Sequence, residues 1–231
     1  MAKEVLVIGG RSGIGKQVVA DLLEDGYHVT AASREISEDD FEGEVSVQKF
    51  DVTGSDELDL PDELHGLVYC PGTIKLKPFD RIGLDQIQEE MEINYLGAVK
   101  VLHQAIKALK KGKGSAVFFS TVAVQTGMPF HSSISAAKGA VEGMVRSLAA
   151  EYAPKVRFNA IAPSLTDTPL AESMLNSDKK RESNASRHPL NSIGDVKDIS
   201  EGVRYLISDR SRWVTGQILK IDGGMSSLRS L

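Results

Sequence analysis

Short β-branched and leucine-rich runs alternate along this chain with segments whose apolar residues recur at helical spacing. Val5, Leu6, Val7 and Ile8 run into glycines and suit a buried strand. Ile14, Val18, Val19, Leu22 and Leu23 then repeat at helical spacing, and Gly26 stands where that helix should stop. Residues 27–32 and 45–50 read as the second and third strands, and residues 67–70 as a short fourth closed by Pro71 and Gly72. A long helical pattern covers residues 84–109 and is broken by Gly112 and Gly114. Residues 116–119 read as a fifth strand, 133–152 as a helix stopped by Pro154, and 156–161 as a sixth strand. Polar helical candidates follow a turn-rich stretch at 163–169, then a helix over 198–208 and a last strand over 217–221. The acidic stretch 56–63 lacks the ligand periodicity of a calcium loop and reads as a solvated turn or shrunken helix.

Strands alternating with helices imply right-handed crossovers and a parallel sheet covered on both faces. The expected fold class is therefore α/β, a doubly wound parallel sheet. With 231 residues and neither internal repeats nor an interdomain linker, the chain makes one domain. A hydrophobic share of 41% with 26% charged residues excludes a disordered or fibrous chain. The net charge is −5 and no basic run stands out, which disfavours nucleic acid and anionic membrane as partners. Cys70 is the single cysteine, so no intrachain disulfide or thiolate metal site can form, and no metal is expected. Cys70 itself reads as a small buried residue. Residues 114–137 carry no Asp, Glu, Lys or Arg, but Gln125, Gly127, Pro129 and His131 interrupt them, so they read as a strand and a polar loop rather than a membrane span. A soluble, cytoplasmic protein is expected.

Gly9, Gly13 and Gly15, in the sequence GGRSGIG with Ser12 and Ile14, link the first strand to the first helix. Glycines permit a tight turn and let the backbone approach a pyrophosphate, and the helix N-terminus offers free N–H groups and a partial positive charge. Such a turn also serves purely structural ends. The strand before it, the helix after it and the alternation beyond favour a dinucleotide. At the end of the second strand, where an acidic residue would hold the ribose of NAD, stand Ser33 and Arg34. A missing carboxylate removes a clash with a 2′-phosphate, and Arg34 can pair with that phosphate, with Arg11 as a second candidate. Each arginine alone would read as a solvated surface charge. Together they favour NADP(H) over NAD(H).

With these features in place, the chain resembles the classical short-chain dehydrogenase/reductase family over nearly its whole length, which implies a Rossmann-like fold. GGRSGIG is similar to the family's glycine motif, Asp51 and Val52 to its adenine-holding pair, and the YCPG run ending at Gly72 to its Asn-Asn-Ala-Gly turn in altered form. Asn94 in INYLGAV matches the helix asparagine that anchors an active-site water, and Lys138 in AAKGAVEGM matches the active-site lysine. FNAIAPSLTDTPL, with Pro163, Thr166 and Thr168, resembles the segment that touches the nicotinamide carboxamide, although Ser164 replaces a glycine. VTGQILKIDGG resembles the last strand.

The resemblance implies reversible hydride transfer between nicotinamide and a carbonyl or alcohol of small size. In the family a tyrosine four residues before the lysine moves the proton, and a hydroxyl residue 13 positions before the tyrosine holds the substrate oxygen. The hydroxyl position here is Thr121, with Ser120 beside it as a one-residue alternative. The tyrosine position is Ile134, which can neither donate nor accept a proton. His131 lies three residues upstream and reads as a loop or capping residue, and Tyr95 as packing. Residues 168–190 fall where the family places a substrate lid, and the long helices imply a homodimer or homotetramer. Three readings follow. The first is an NADP(H) oxidoreductase with an atypical site. The second is a non-catalytic NADP(H)-binding sensor or partner subunit, and the third a different reaction on the same fold.

Overall fold

In a computed structural model that describes residues 2–228, the strands are β1 (Glu4–Ile8), β2 (His28–Ser33), β3 (Ser46–Lys49), β4 (Gly66–Tyr69), β5 (Ser115–Phe119), β6 (Arg157–Pro163) and β7 (Ile218–Ile221). They form one sheet in the order β3-β2-β1-β4-β5-β6-β7, every neighbouring pair parallel. The helices are α1 (Gly13–Glu24), α2 (Leu84–Met91), α3 (Gly97–Gly112), α4 (Ala123–Thr126), α5 (Ser132–Tyr152), α6 (Glu172–Leu175), α7 (Asp178–Ala185) and α8 (Val196–Ile207). The winding direction reverses between β1 and β4, and in such sheets the crevice at the strands' carboxyl ends opens there.

Side-chain alternation on β1 divides the core. Leu6 and Ile8 join Phe50, Leu109, Phe118 and Phe158 on the face covered by α3 and α5. Val5 and Val7 join Val18, Leu22, Val203 and Leu206 under α1 and α8 on the other. Each fully buried aliphatic or phenyl side chain contributes about 1.5–3 kcal/mol.

Three expectations change. The helix over 84–109 is not continuous: Glu92–Leu96 is a π-helical turn, in which the Gly97 N–H donates to the Glu92 carbonyl. The extra residue is covered locally, because the Tyr69 hydroxyl donates to the Ile93 carbonyl at 2.6 Å. Gly97 is what lets the helix come so close, since a β-carbon there would stand 2.4 Å from the Tyr69 hydroxyl. A single inserted residue hardly disturbs an apolar period, so the sequence pattern conceals it. The acidic stretch 56–63 forms no helix. Leu58 and Leu60 pack against the core, and the Leu58 N–H donates to Gln104 Oε1 at 2.7 Å, so alternate burial replaces a helical face. The last helix begins two residues earlier than expected, where Asp195 accepts from the Lys197 N–H and Asp198 reaches back to the Asp195 N–H. Among the described residues no helix is long and apolar enough to cross a membrane.

Candidate active site

Two adjoining clefts open at the carboxyl edge of the sheet. The larger encloses about 660 Å³ and is bounded by the turn from β1 to α1, the ends of β2 and β4, and the segment after β3. Gly9, Arg11, Ser12, Gly13, Ile14 and Gly15 line it on one side, and Ser33, Arg34, Asp51, Val52 and Gly72 on the others. Gly9 and Gly13 have φ values of +77° and +54°, a region that costs side chains about 1–3 kcal/mol. At Gly15 a β-carbon would meet the Gly9 carbonyl oxygen at 2.2 Å. The turn therefore folds against the helix start only with glycine there. Ser12 is the N-cap of α1, yet its side chain makes no capping bond, and the first turn holds no acidic residue. The free N–H groups and the positive end of the helix dipole are left facing the cleft, a cradle suited to a phosphate group.

At the far rim the two arginines differ. Arg11 is held by Glu35 at 3.1 Å and by Asp40 at 3.5 Å. Arg34 is exposed and has no ion-pair partner among the described residues. The Asp51 carboxylate accepts from the N–H and hydroxyl of Thr53 at 2.9 and 2.8 Å, and these bonds, with Arg34 and Lys100 nearby, hold its carboxyl below the usual range.

The smaller cleft, about 240 Å³, brings together Asn94, Ser120, Thr121, Lys138, Pro163, Thr166 and Thr168, with Thr168 and Gly72 shared between the two. The π turn aims Asn94 inward. Its amide nitrogen donates to the Glu90 carbonyl at 2.9 Å and to the Thr73 hydroxyl at 3.2 Å, while its Oδ1 has no partner among the described residues. That oxygen and Lys138 Nζ lie 3.1 and 3.6 Å from the point where a β-carbon on Gly72 would stand, so both flank one small space. Lys138, on α5, is buried, and burial pushes its ammonium down to about 8, with Cys70 and Glu90 opposing the shift. Burial pushes the Cys70 thiol up to about 12, which keeps it an inert neighbour.

Ile134 is buried on the same wall, one helical turn before Lys138, and among the described residues no tyrosine lines either cleft. Tyr95 packs against the core. His131 sits at the N-terminus of α5, its Nδ1 donating to the Pro129 carbonyl at 2.7 Å. Thr121 Oγ1 accepts from the Ala123 N–H at 3.3 Å, whereas the Ser120 hydroxyl is committed to Glu142 Oε1 at 2.7 Å. This separates the two hydroxyls, with Thr121 the freer. Glu90 and Glu142, buried carboxylates on helix positions that read as surface, and His188 also belong to the interior around this site. His188 is buried and paired with Ser164 at 2.8 Å, and its only sequence signal was its place between a polar stretch and Pro189.

Comparison with known proteins gives this arrangement its context. The family model described as enoyl-(acyl carrier protein) reductase matches residues 8–226. The chain belongs to the short-chain dehydrogenase/reductase family. A chloroplastic tropinone reductase homologue of Arabidopsis thaliana is 32% identical over 241 residues, covering 96% of this chain and 74% of the relative. The ligand-free aldohexose dehydrogenase of Thermoplasma acidophilum superposes with a TM-score of 0.89 at 26% identity, over 100% of this chain and 96% of the other. ElxO with NADP bound superposes with a TM-score of 0.87, also at 26% identity, over 99% and 100%. Relatives of this family chain are reductases and dehydrogenases.

Proposed function

We propose that the chain is an NADP(H)-dependent oxidoreductase that moves hydride between nicotinamide and a small carbonyl or alcohol, from an active site with Ile134 in place of the family's tyrosine. The observation that carries this reading is Lys138, a buried cation at the junction of the two clefts beside an unsatisfied Asn94 Oδ1. A lysine is rarely buried for packing alone, because desolvating its charge is costly. At this junction it can hold the ribose hydroxyls of a dinucleotide, and Asn94 Oδ1 can accept from a water or a substrate group.

The bound cofactor would supply the hydride. The glycine cradle and the N-terminus of α1 would take its pyrophosphate, Asp51 and Val52 its adenine, and the segment from Pro163 to Thr168 its carboxamide end. Ser33 offers no carboxylate to repel a 2′-phosphate and Arg34 is free to pair with one, so NADP(H) is favoured over NAD(H); ElxO, similar in fold, binds NADP. Thr121 would hold the substrate oxygen. Residues 168–190, which include α6 and α7, would act as the lid on a domain that is otherwise one unit, and α3 and α5 would pair two or four copies in the cytoplasm.

A second reading is kept by Ile134, which is 4% exposed and, at the tyrosine position the resemblance implies, would offer only hydrocarbon. It makes the chain a nucleotide-binding sensor or the partner of an active subunit. The deciding experiment titrates NADPH and NADH by fluorescence. In parallel it assays wild type and Ile134→Tyr on a panel containing a bicyclic ketone, a β-keto ester and an aldose. NADPH binding with wild-type turnover is expected. Binding without turnover, restored by Ile134→Tyr, would establish the second reading, and no nucleotide binding would remove both.

A further inference from the structure

Ser164 and His188 form a hydrogen-bonded pair on the wall of the smaller cleft that the cofactor cradle and Lys138 leave unused. His188 Nδ1 lies 2.9 Å from the Asn184 carbonyl oxygen. A carbonyl only accepts, so Nδ1 carries its hydrogen in every charge state of the ring. Nε2 is then the atom that gains and loses a proton, and it stands 2.8 Å from Ser164 Oγ. That oxygen is also 3.0 Å from Met225 Sδ. One hydroxyl hydrogen cannot serve both contacts. With the ring neutral, Ser164 donates to Nε2. With the ring charged, Nε2–H donates to Ser164, whose own hydrogen turns to the sulfur, a weak acceptor that a better one in the cleft would displace.

The pair lines the same cleft as Thr121, the residue proposed to hold the substrate oxygen. Thr121 and Ser164 follow adjacent strands, β5 and β6, and the segments stay paired beyond the sheet: Ser120 N–H donates to the Ile161 carbonyl at 2.7 Å and Val122 N–H to the Pro163 carbonyl at 3.3 Å. In this register Ser164 stands beside Val122, one position on from Thr121, and both hydroxyl residues line the same cleft. Lys138, Arg187 and His131 are the charged or titratable groups that share it beside Cys70, and no carboxylate among the described residues lines it. Met225 and the Gly223 backbone, packed on His188 from the carboxyl-terminal segment, and Asn184 of α7 are uncharged.

We propose that Ser164, charged with a proton by His188, is the proton donor and acceptor at the substrate oxygen, the task Ile134 cannot perform. The proposal rests on the oxidoreductase reading. In reduction the carbonyl carbon gains a hydride from the reduced nicotinamide, which is oxidised. The carbonyl π pair takes the Ser164 hydroxyl proton, Oγ takes the Nε2 proton, and His188 is left neutral with its Nδ1–H bond to Asn184 intact. Oxidation of the alcohol runs the same transfers backward. Ser164 touches the substrate, and His188 is its positioning and charging residue.

Two measurements test this. Nitrogen-15 NMR of the cofactor-free protein, with His188→Gln to identify its signals among the five histidines, should show that the neutral ring carries its hydrogen on Nδ1 and leaves Nε2 bare. Ser164→Ala should shift the Nε2 resonance. A neutral ring carrying its hydrogen on Nε2 would overturn the proposal. In NADPH-dependent reduction of the same panel, His188→Gln and Ser164→Ala should each lower kcat about 10²–10⁴-fold, and His188→Gln should leave KM and NADPH affinity close to wild type. Adding Ile134→Tyr to His188→Gln should restore turnover. Unchanged kcat in both variants would overturn the relay and leave the oxidoreductase reading standing. Nucleotide binding without any wild-type turnover would overturn both.

Discussion

Lys138 loses hydration on α5, and its ammonium is pushed from 10.5 down to about 8. Between these values the unfolded chain binds more protons than the folded one, so folding stability rises with pH across that window. Below about 8 both states carry the charge and the folded state bears the full desolvation cost; above 10.5 neither does. The wild type should therefore gain on Lys138→Met as pH rises from about 8 to 10.5, by on the order of 1–3 kcal/mol, in urea denaturation at stepped pH. A constant difference would show that Lys138 is solvated. Arg34 makes the opposite kind of statement, being exposed and unpaired among the described residues beside the larger cleft. Its removal should weaken NADPH binding about 10–100-fold, the value of one or two charge-assisted bonds, and leave NADH nearly unchanged. Arg11→Ala should do much less, because Glu35 and Asp40 already neutralise that guanidinium. Equal losses for both nucleotides in a fluorescence titration of Arg34→Ala would remove the 2′-phosphate reading.

At the scale of elements, two glycines on helices separate close approach from open space. A methyl at Gly15 would enter the Gly9 carbonyl, whereas at Gly143, in the middle of α5, nothing lies within 4 Å. Gly15→Ala should cost about 1–3 kcal/mol and abolish nucleotide binding. Gly143→Ala should raise stability by about 0.5–1 kcal/mol through helix propensity alone. A loss at Gly143 in thermal melts, with a lower mass in light scattering, would mean that a second chain packs against α5. Most of the seven strands were legible in the sequence because buried parallel strands read as unbroken apolar runs such as Val5 to Ile8, β3 from the alternation of residues 45–50 instead, and the glycine turn because its spacing has a mechanical cause. The π turn was not, because one extra residue leaves Asn94 and its apolar neighbours nearly in phase with a regular helix. The Ser164–His188 pair was hidden for another reason. It joins residues 24 apart across an irregular segment, where no periodicity announces which side chains turn inward.

For the whole molecule, the larger cleft draws its walls from both halves of the sheet. Gly9 to Gly15 leave β1, Ser33 and Arg34 leave β2, Asp51 follows β3, Gly72 follows β4, and Thr168 follows β6. A ligand there ties segments that otherwise meet only through the core, so its binding free energy adds to global stability rather than to one loop. At a hundred times its Kd, NADPH should stabilise the fold by about 2.7 kcal/mol, which for a chain of this length raises Tm by roughly 5–10 °C. NADH at the same concentration should raise it less, and Arg34→Ala should close the gap between the two. Hydrogen exchange distinguishes this from nonspecific stabilisation. The turn at 9–15 and the strand-end segments at 33–35, 51–53 and 70–73 should slow together on adding NADPH, beyond the slowing of exposed amides on α7. Slowing confined to one of these segments, or a Tm unmoved by saturating NADPH, would mean that the cleft does not hold an extended dinucleotide. The glycine cradle would then be a structural turn, and Lys138 would need another reason to be buried.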